Sequence, residues 1–474
     1  MRIRLSLFFA LGLAGCISSP RYEAPDLVAA VEGSERFLQA QAEASRDRDS
    51  AVRWWLSIGG QELDRLVVDL LATSPDLEAA RARVGQSRAL SRQAFAGRLP
   101  VINGSADSGQ LKLIEPVDEP FAETSTLSVT GSWELDIFGK LRAADRAARL
   151  RADAAILGQA DLERSLIAET ARLYVGAWAL RERLRIAEAL ATSFEETANL
   201  TGQRYRTGSR TLGALDVQIA RQNAFSSASD VPAIAAQYQT QLQAIDVLLG
   251  RLPGTTVLRF EPAPNLRTLS DVSVGAPADL LLERPDVALA EAEFRAGLAD
   301  LGVARAELLP SFSLTAALTE TTSPANFLGS ETLIATYAGE VVAPIFDGGR
   351  RRAEVRRARA ATDELAASFA SAAVTALNDM ETALIQERAT TEELELRRSS
   401  LEAARLSDQI ASERYVAGQV SLITLLETRR SLNTARQSEV TATESRLNAR
   451  ISLYEALGGD WFPPKPDGKG RTDS

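Results

Sequence analysis

The sequence is written twice. Leu70-Leu71-Ala72-Thr73-Ser74-Pro75-Asp76 returns as Leu280-Leu281-Leu282-Glu283-Arg284-Pro285-Asp286. Leu99-Pro100 returns as Leu309-Pro310, and Arg204-Tyr205-Arg206-Thr207-Gly208 as Arg414-Tyr415-Val416-Ala417-Gly418, each at an offset of 210 residues. Ile137-Phe138 and Ile345-Phe346 form a fourth pair at an offset of 208. Four matches in one order mark a duplicated unit. Each copy reads as helix, two strands, long helix, turn, helix. The first predicts a helix over 62–98, strands over 99–113 and 121–138, and helices over 140–206 and 211–250. The second predicts a helix over 280–308, strands over 309–322 and 332–346, and helices over 350–416 and 421–458.

The N-terminus sets the compartment. Arg2 and Arg4 precede an apolar run from Leu5 to Leu13, too short for the ~20 residues of a membrane-spanning helix, so residues 1–15 read as a secretory signal. The run ends in Leu13-Ala14-Gly15-Cys16, which looks like a bacterial lipobox: the signal is cut before Cys16, and Cys16 carries lipid, palmitate included. The plainer alternative is an ordinary secretory signal that contains a Cys. Ile17 is not the Asp that commonly holds such proteins at the inner membrane, so outer-membrane sorting is expected. Losing Arg2 and Arg4 takes the net charge from −10 to −12 (51 − 63).

Composition removes whole classes of chemistry. The 474 residues hold no His and one Cys, which excludes His-based and Cys-His catalysis, His-ligated metal and internal disulfides. There is no phosphate-binding Gly loop. The chain is read as no enzyme, with no cofactor beyond the covalent lipid. The acidic balance, 53 Lys+Arg against 63 Asp+Glu, argues against a nucleic-acid partner.

The strands alternate. Leu127, Val129, Gly131, Trp133, Leu135 and Ile137 interleave with Ser128, Thr130, Ser132, Glu134 and Asp136. Phe312, Leu314, Ala316 and Leu318 interleave with Ser311, Ser313, Thr315 and Thr319. The segment 332–346 alternates less cleanly and 99–113 weakly. A half-buried soluble sheet gives the same period. Polar faces rich in Ser and Thr, lengths near the 9–11 residues a bilayer needs, and the outer-membrane signal favour strands in lipid. Apart from strands nothing can span, because no mature segment reaches 18 uninterrupted apolar residues. Four strands cannot close a barrel, whereas three copies supply twelve.

The long helices are rich in Ala and Leu. Residues 140–206 would extend roughly 100 Å. Ala148, Ala155, Leu162, Leu166, Leu173, Leu180 and Leu184 follow spacings of 7, 7, 4, 7, 7 and 4, which predicts a coiled-coil seam. Gly139, Gly348 and Gly349, with Pro344 just before, stand at the barrel-to-helix junctions, where Gly permits a sharp change of path. The bases after them, Lys140, Arg142, Arg350, Arg351, Arg352, Arg356 and Arg357, lie either near inner-leaflet phosphates or on a solvated helix face.

These features resemble the TolC-type outer-membrane efflux channels, and within them the NodT-like, OprM-like lipoprotein subfamily. The segments that carry the resemblance run in order from Pro20-Arg21-Tyr22-Glu23-Ala24-Pro25 through Asp136-Ile137-Phe138-Gly139-Lys140, Arg284-Pro285-Asp286 and Leu309-Pro310-Ser311-Phe312 to Ile345-Phe346-Asp347-Gly348-Gly349-Arg350 and Leu453-Tyr454-Glu455-Ala456-Leu457-Gly458-Gly459-Asp460-Trp461. The resemblance implies a fold that is mainly α with transmembrane β. The duplicated unit would form, as a homotrimer, a 12-stranded β-barrel continued by a long periplasmic α-helical coiled-coil barrel. It implies the exit duct of a tripartite pump, passively conducting drugs and other small toxic compounds. Its partners would be a periplasmic adaptor (membrane fusion) protein, an inner-membrane pump of RND type and outer-membrane lipid. Its alternatives are a type I protein-secretion duct and a periplasmic adaptor lipoprotein.

The two Arg-Tyr…Gly turns are expected at the end of the helices far from the barrel. By the resemblance this tip is the closed periplasmic gate. Asp216 and Glu427 are the candidate acidic ring, with Thr424 where some relatives carry another acid. Arg204, Tyr205, Arg210, Arg414 and Tyr415 are candidates for the bonds that hold it shut. The expected domain plan is signal peptide 1–15, lipidated segment 16–61, first repeat 62–260, linker 261–279, second repeat 280–461 and a disordered tail 462–474.

Overall fold

The computed structural model describes residues 22, 23, 25, 53–111, 122–208, 213–260, 284–322 and 331–458. Cys16, the signal, Arg210, the linker 261–279 and the tail lie outside the described residues. In chain order the elements are α1 (Leu56–Thr73), α2 (Pro75–Ala96), β1 (Val101–Leu111), β2 (Ala122–Leu135), α3 (Lys140–Arg206) and α4 (Ala214–Leu248). The second copy follows with α5 (Pro285–Ala306), β3 (Ser311–Thr322), β4 (Glu331–Val342), α6 (Arg350–Val416) and α7 (Leu422–Ala456). The two copies match closely: α3 and α6 each have 67 residues, α4 and α7 each 35.

The chain divides into two compact units. The first takes the sheet with residues 82–157 and 288–372; the second takes residues 27–81, 158–287 and 373–474. In the first unit the four strands form one antiparallel sheet in the order β1-β2-β3-β4. The register aligns every alternation. Ile102 pairs with Gly131, Gly131 with Ala316, and Ala316 with Tyr337, while Trp133 pairs with Leu314 and Leu314 with Gly339. One face therefore carries Val129, Trp133, Leu314, Leu318, Tyr337 and Val341. The other carries Ser128, Thr130, Ser132, Thr315, Thr319 and Glu340, with Ser128 Oγ and Thr319 Oγ1 3.2 Å apart. The weak period of β1 is explained here: Gly104 and Ala106 fill its apolar face.

Several boundaries differ from the sequence expectation. The helix predicted over 62–98 is broken at Ser74, which is extended (φ −61°, ψ 122°). Pro75 cannot donate and biases the residue before it out of the helical region, so it opens α2 instead. α1 begins at Leu56, inside the segment expected over 16–61. Trp54, Trp55 and Ile58 are buried, and Trp54 stacks on Tyr454 with ring centres 5.0 Å apart. β2 stops at Leu135 and β4 at Val342, so Ile137-Phe138 and Ile345-Phe346 leave the ladder.

The predicted seam is also displaced. Ala148, Ala155, Leu162, Leu166, Leu173, Leu180 and Leu184 are half-buried. Four residues one place earlier on that heptad line, Ala147, Ala154, Ala168 and Val175, are buried, while the fifth, Asp161, is half-buried; small side chains let the helices of one chain approach closely there. The main core of the second unit joins α1, α3, α4 and α7 through Leu63, Val67, Leu70, Ala171, Tyr174, Ile245, Leu249, Leu447 and Ile451. A Cβ at Gly59 would meet Leu63 and Tyr174 at 2.5 and 2.6 Å, so α1 is seated there without a side chain. Arg284, 3% exposed, reaches Asp286 (2.7 Å), Asp379 (3.1 Å) and the carbonyls of Ala376 (3.4 Å) and Ala456 (3.3 Å). It closes the C-terminal end of α7, where carbonyls lack helical partners.

Candidate functional site

The two turns meet within the second unit. Each ends a 67-residue helix with a glycine of positive φ, Gly208 (+83°) and Gly418 (+73°), which only glycine adopts without strain. Thr201 Oγ1 on α3 lies 3.3 Å from the hydroxyl of Tyr415 on α6. The Arg204 guanidinium lies 5.5 Å from the Tyr415 ring centre and donates long hydrogen bonds to the carbonyls of Tyr415 (3.5 Å) and Val416 (3.4 Å). A cation set over an aromatic ring and against the carbonyl end of a helix is favoured twice. Below the clasp Phe194, Ala220, Tyr415, Leu422, Leu425 and Leu426 form a buried apolar cluster.

The predicted gate residues divide into two groups. Arg204 and Tyr415 face each other, with Tyr415 only 5% exposed. Tyr205 is 44% exposed, and Arg414 is exposed. Asp216 accepts a hydrogen bond from the backbone N–H of Gly213 (2.8 Å), which satisfies a free donor at the start of α4. Thr424 is drawn into the cap of α7: its N–H donates to Ser421 Oγ at 3.2 Å, and the two hydroxyls lie 3.0 Å apart. Glu427 is exposed, one turn into α7.

Sequence reasoning missed the residues that tie the helices behind the tip. Arg429 on α7 donates to the Ser193 carbonyl (3.0 Å) and to Thr197 Oγ1, both on α3, and lies 3.9 Å from Asp408 on α6. Arg430 donates to Asn223 on α4. Burial pushes the Asp408 carboxyl up, and Arg429 and Arg436 oppose that shift. Folding α6 back on α7 about Gly418 would have paired Asp408 with Arg429; the repeat gives no such signal, since the first copy has Ala198 and Ile219 at those places.

Gly139 (φ +81°), Gly348 (+66°) and Gly349 (+87°) are left-handed, and Pro344 follows the end of β4. Asp136 caps α3 by accepting from the N–H groups of Leu141 (3.0 Å) and Arg142 (2.9 Å); Asp347 caps α6 by accepting from Gly349 (3.0 Å) and Arg351 (3.2 Å). Desolvation pushes the Asp347 carboxyl up, and the backbone bonds from Arg351 and Gly349 together with the charges of Arg350 and Arg351 outweigh it and hold the group below its ordinary value. Lys140 pairs with Glu134 (2.5 Å), so part of the basic cluster is neutralised within the chain.

The family described as outer membrane efflux protein matches residues 66–251 and 276–459. The pyoverdine export outer membrane protein OpmQ of Pseudomonas aeruginosa is 33% identical, over 96% of this chain and 97% of its own length. The toluene efflux pump outer membrane protein TtgF of Pseudomonas putida is 28% identical, over 96% of each. Among solved structures, the outer-membrane channel OprN superposes with a TM-score of 0.84 at 28% identity, covering 94% of this chain and all of that one.

Proposed function

Because the chain belongs to the outer membrane efflux protein family, we propose that it is the exit duct of a tripartite efflux pump, closed as a homotrimer and gated at the tip where Arg204 meets Tyr415. It is a bacterial outer-membrane efflux channel and catalyses no reaction.

The observation that carries this reading is the sheet. One face is mainly apolar toward the helix-side end of all four strands, with Glu320 and Ser108 toward the other end, and β1 and β4 have no outer partner strand among the described residues. An open edge in hydrocarbon costs several kcal/mol per unpaired group. Three copies joined edge to edge remove every edge, and twelve strands leave an aqueous passage where eight would be filled by side chains. The polar face would line that passage. Extraction followed by mass measurement tests the closure, and a stably monomeric protein that never perforates a planar bilayer overturns it.

The finer reading concerns traffic and anchoring. Conduction is passive, energy coming from an inner-membrane RND pump through a periplasmic adaptor, and Cys16 carries the lipid. OpmQ is named for pyoverdine export and TtgF for toluene efflux. Drugs and other small toxic compounds are the cargo proposed here. A deletion strain tested against a panel of toxic compounds checks this; uniform tolerance overturns it. Asp216 and Glu427 form the selectivity ring, since like charges brought around a narrow axis attract cations. Neutralising each should change cation selectivity in single-channel recordings, and unchanged selectivity in both rejects them.

A further inference from the structure

The apolar face of the sheet holds a pit near its helix-side end. Ile102, Gly131, Ala316 and Tyr337 stand in one row across the four strands. The next row on that face toward the helices carries Trp133, Leu314 and Gly339. Gly131 and Ala316 make the floor, Ile102 and Tyr337 the sides, and Trp133 and Leu314 the helix-side wall. The cavity measures about 460 Å³ and is lined by these residues, a volume in the range of small-ligand sites. The floor is bare for no reason internal to the chain. A Cβ at Gly131 would meet only the Ala316 carbonyl oxygen, at 3.9 Å, and one at Gly339 only Leu314 Cδ2, at 3.6 Å. Neither glycine has a positive φ. Glycine inside a strand costs stability, and where no turn or bulge asks for it, it marks a close approach from outside.

A pair of cations adjoins the pit. The Trp133 indole N–H donates to the Arg98 carbonyl at 2.9 Å. The Arg98 and Arg149 guanidiniums both donate to Oδ2 of Asp145, at 2.8 and 2.7 Å. The same two guanidiniums lie 5.6 and 6.0 Å from the ring centre of Phe95. Asp145 is buried, whereas the Arg98 and Arg149 side chains keep 34% and 57% of their exposure. Two arginines on one carboxylate leave one unit of positive charge and spare N–H donors, which suits a phosphate. The pit and the arginine pair belong to the same sheet-bearing unit.

We propose that the pit and the arginine pair form one site for an anionic glycerophospholipid of the periplasmic leaflet, with its phosphate on Arg98 and Arg149 and an acyl chain over Gly131 and Ala316. The proposal rests on the reading of the apolar face as lipid-facing. Charge selects the occupant: the single positive charge left at Asp145 matches the single negative charge of a phosphodiester. Order along the molecule selects it too. The cations lie on the helix side of Trp133 and the apolar pit on the strand side, so the indole stands between headgroup and chain, the depth at which Trp and Tyr settle in a bilayer. The bare floor then has a cause, because a side chain at Gly131 would occupy the space of the acyl chain.

Native mass spectrometry tests it. The full-length protein is extracted in detergent, stripped of lipid and titrated with dioleoyl phosphatidylglycerol. One lipid per chain should be retained, and dioleoyl phosphatidylcholine should be held more weakly. Arg149→Gln, which leaves Asp145 paired with Arg98, should weaken retention by about tenfold. Gly131→Val should weaken it as much while leaving the thermal midpoint of the lipid-free protein unchanged or higher, since the fold has room for the side chain. Gly109→Val, on the opposite face of β1, should leave retention unchanged. Full retention in Arg149→Gln, or equal retention of the two lipids, overturns the headgroup site. Full retention in Gly131→Val overturns the acyl site. Glycerol 3-phosphate bound as tightly as the lipid makes the arginine pair a site for free phosphate and overturns the proposal. Loss of the oligomer in Gly131→Val shows that the pit seats another copy of the chain, and overturns it as well. A protein that stays soluble without detergent removes the lipid-facing reading itself, a failure visible before any lipid is added.

Discussion

The two helical hairpins descend from one unit and keep its lengths, yet they are held together by different forces. α4 carries four charged residues in 35 and contains Pro232; α7 carries nine in the same length. Among the described residues no ion pair joins α3 to α4, and Gln241 donates to the Leu173 carbonyl (3.1 Å) where the helices cross Gly176. α7 is cross-linked on two sides. Toward α6 it pairs through Asp408–Arg429, Arg398–Glu439 and Glu387–Arg450, and each step back along α6 is matched one for one by a step forward along α7. Toward α3 it pairs through Arg172–Glu455 and Arg183–Glu444, again in matched steps. Shape alone tolerates a slip between Ala-rich helices; a ladder of half-buried ion pairs does not. The duplication therefore produced one hairpin fixed in register and one held by apolar contact. The tips repeat the contrast, with Tyr415 buried and its counterpart Tyr205 exposed.

The strongest way to break this comparison is to remove one rung. Glu387 accepts from Arg450 at 3.0 and 2.5 Å and lies 3.9 Å from Arg446, with side chains only 15%, 5% and 15% exposed. Glu387→Ala strands buried arginine charge, which costs about 3–5 kcal/mol in such settings. A large fall in the thermal midpoint of the detergent-extracted protein is expected. Replacing Glu387 and Arg450 together by Met should cost less than Glu387→Ala alone. Equal losses would mean that the rung holds nothing in register.

At the tip, Tyr415→Ala removes a buried ring from the Phe194 cluster, at about 3 kcal/mol, and should raise resting conductance in planar bilayers. Tyr205→Ala, half a molecule away in sequence and identical in motif, should change stability by less than about 0.5 kcal/mol. Equal effects would erase the difference between the turns. Tyr415→Phe sharpens the test. It deletes only the hydroxyl that meets Thr201, so about 1 kcal/mol and a smaller rise in conductance are expected.

Much of this plan is legible in the sequence, and the reasons are physical. The repeat and the strand alternation survive because one face of the sheet is kept mainly apolar, and the register lines up Ile102, Gly131, Ala316 and Tyr337 across it. The left-handed turns announce themselves through Gly208 and Gly418. Three things were not legible. The seam was read at Ala148, Ala155 and five leucines, although Ala147, Ala154, Ala168 and Val175 are the more deeply buried within the chain. Ser74 and Arg284 occupy the same place before a Pro-Asp pair, yet Ser74 Oγ is buried without a hydrogen bond while Arg284 binds two helices; the motif is local and its partners are not. The two Arg-Tyr turns look equivalent because pattern matching sees neither Thr201 nor the cluster beneath Tyr415.

The smallest effect concerns acid, and it has opposite signs in different places. Burial raises the carboxyls of Asp408 and Glu444, against the pull of Arg429 and Arg436 on the first and of Arg183 on the second. A group whose folded pKa lies above its unfolded one binds more protons when folded, so its contribution to stability is greatest in acid and is lost as pH rises through the window between the two values. Asp286 behaves the other way. Arg284 and Arg164 and the Val287 N–H hold it below its ordinary value of 3.8 against the desolvation that raises it, so its contribution is present at neutral pH and lost as acid protonates it. Burial also raises the Glu163 carboxyl against the pull of Arg81, so between neutral pH and the ordinary carboxylate range Asp408, Glu444 and Glu163 act in the same direction. Asp408→Asn with Glu444→Gln should therefore reduce a gain in thermal midpoint that the parent protein shows on mild acidification, leaving the part that Glu163 supplies. Asp286→Asn should instead lower the midpoint at neutral pH and leave that gain in place. If acidification destabilises the parent and both variants equally, the ion-paired hairpin is not storing a burial cost, and the contrast between the two hairpins is one of sequence alone.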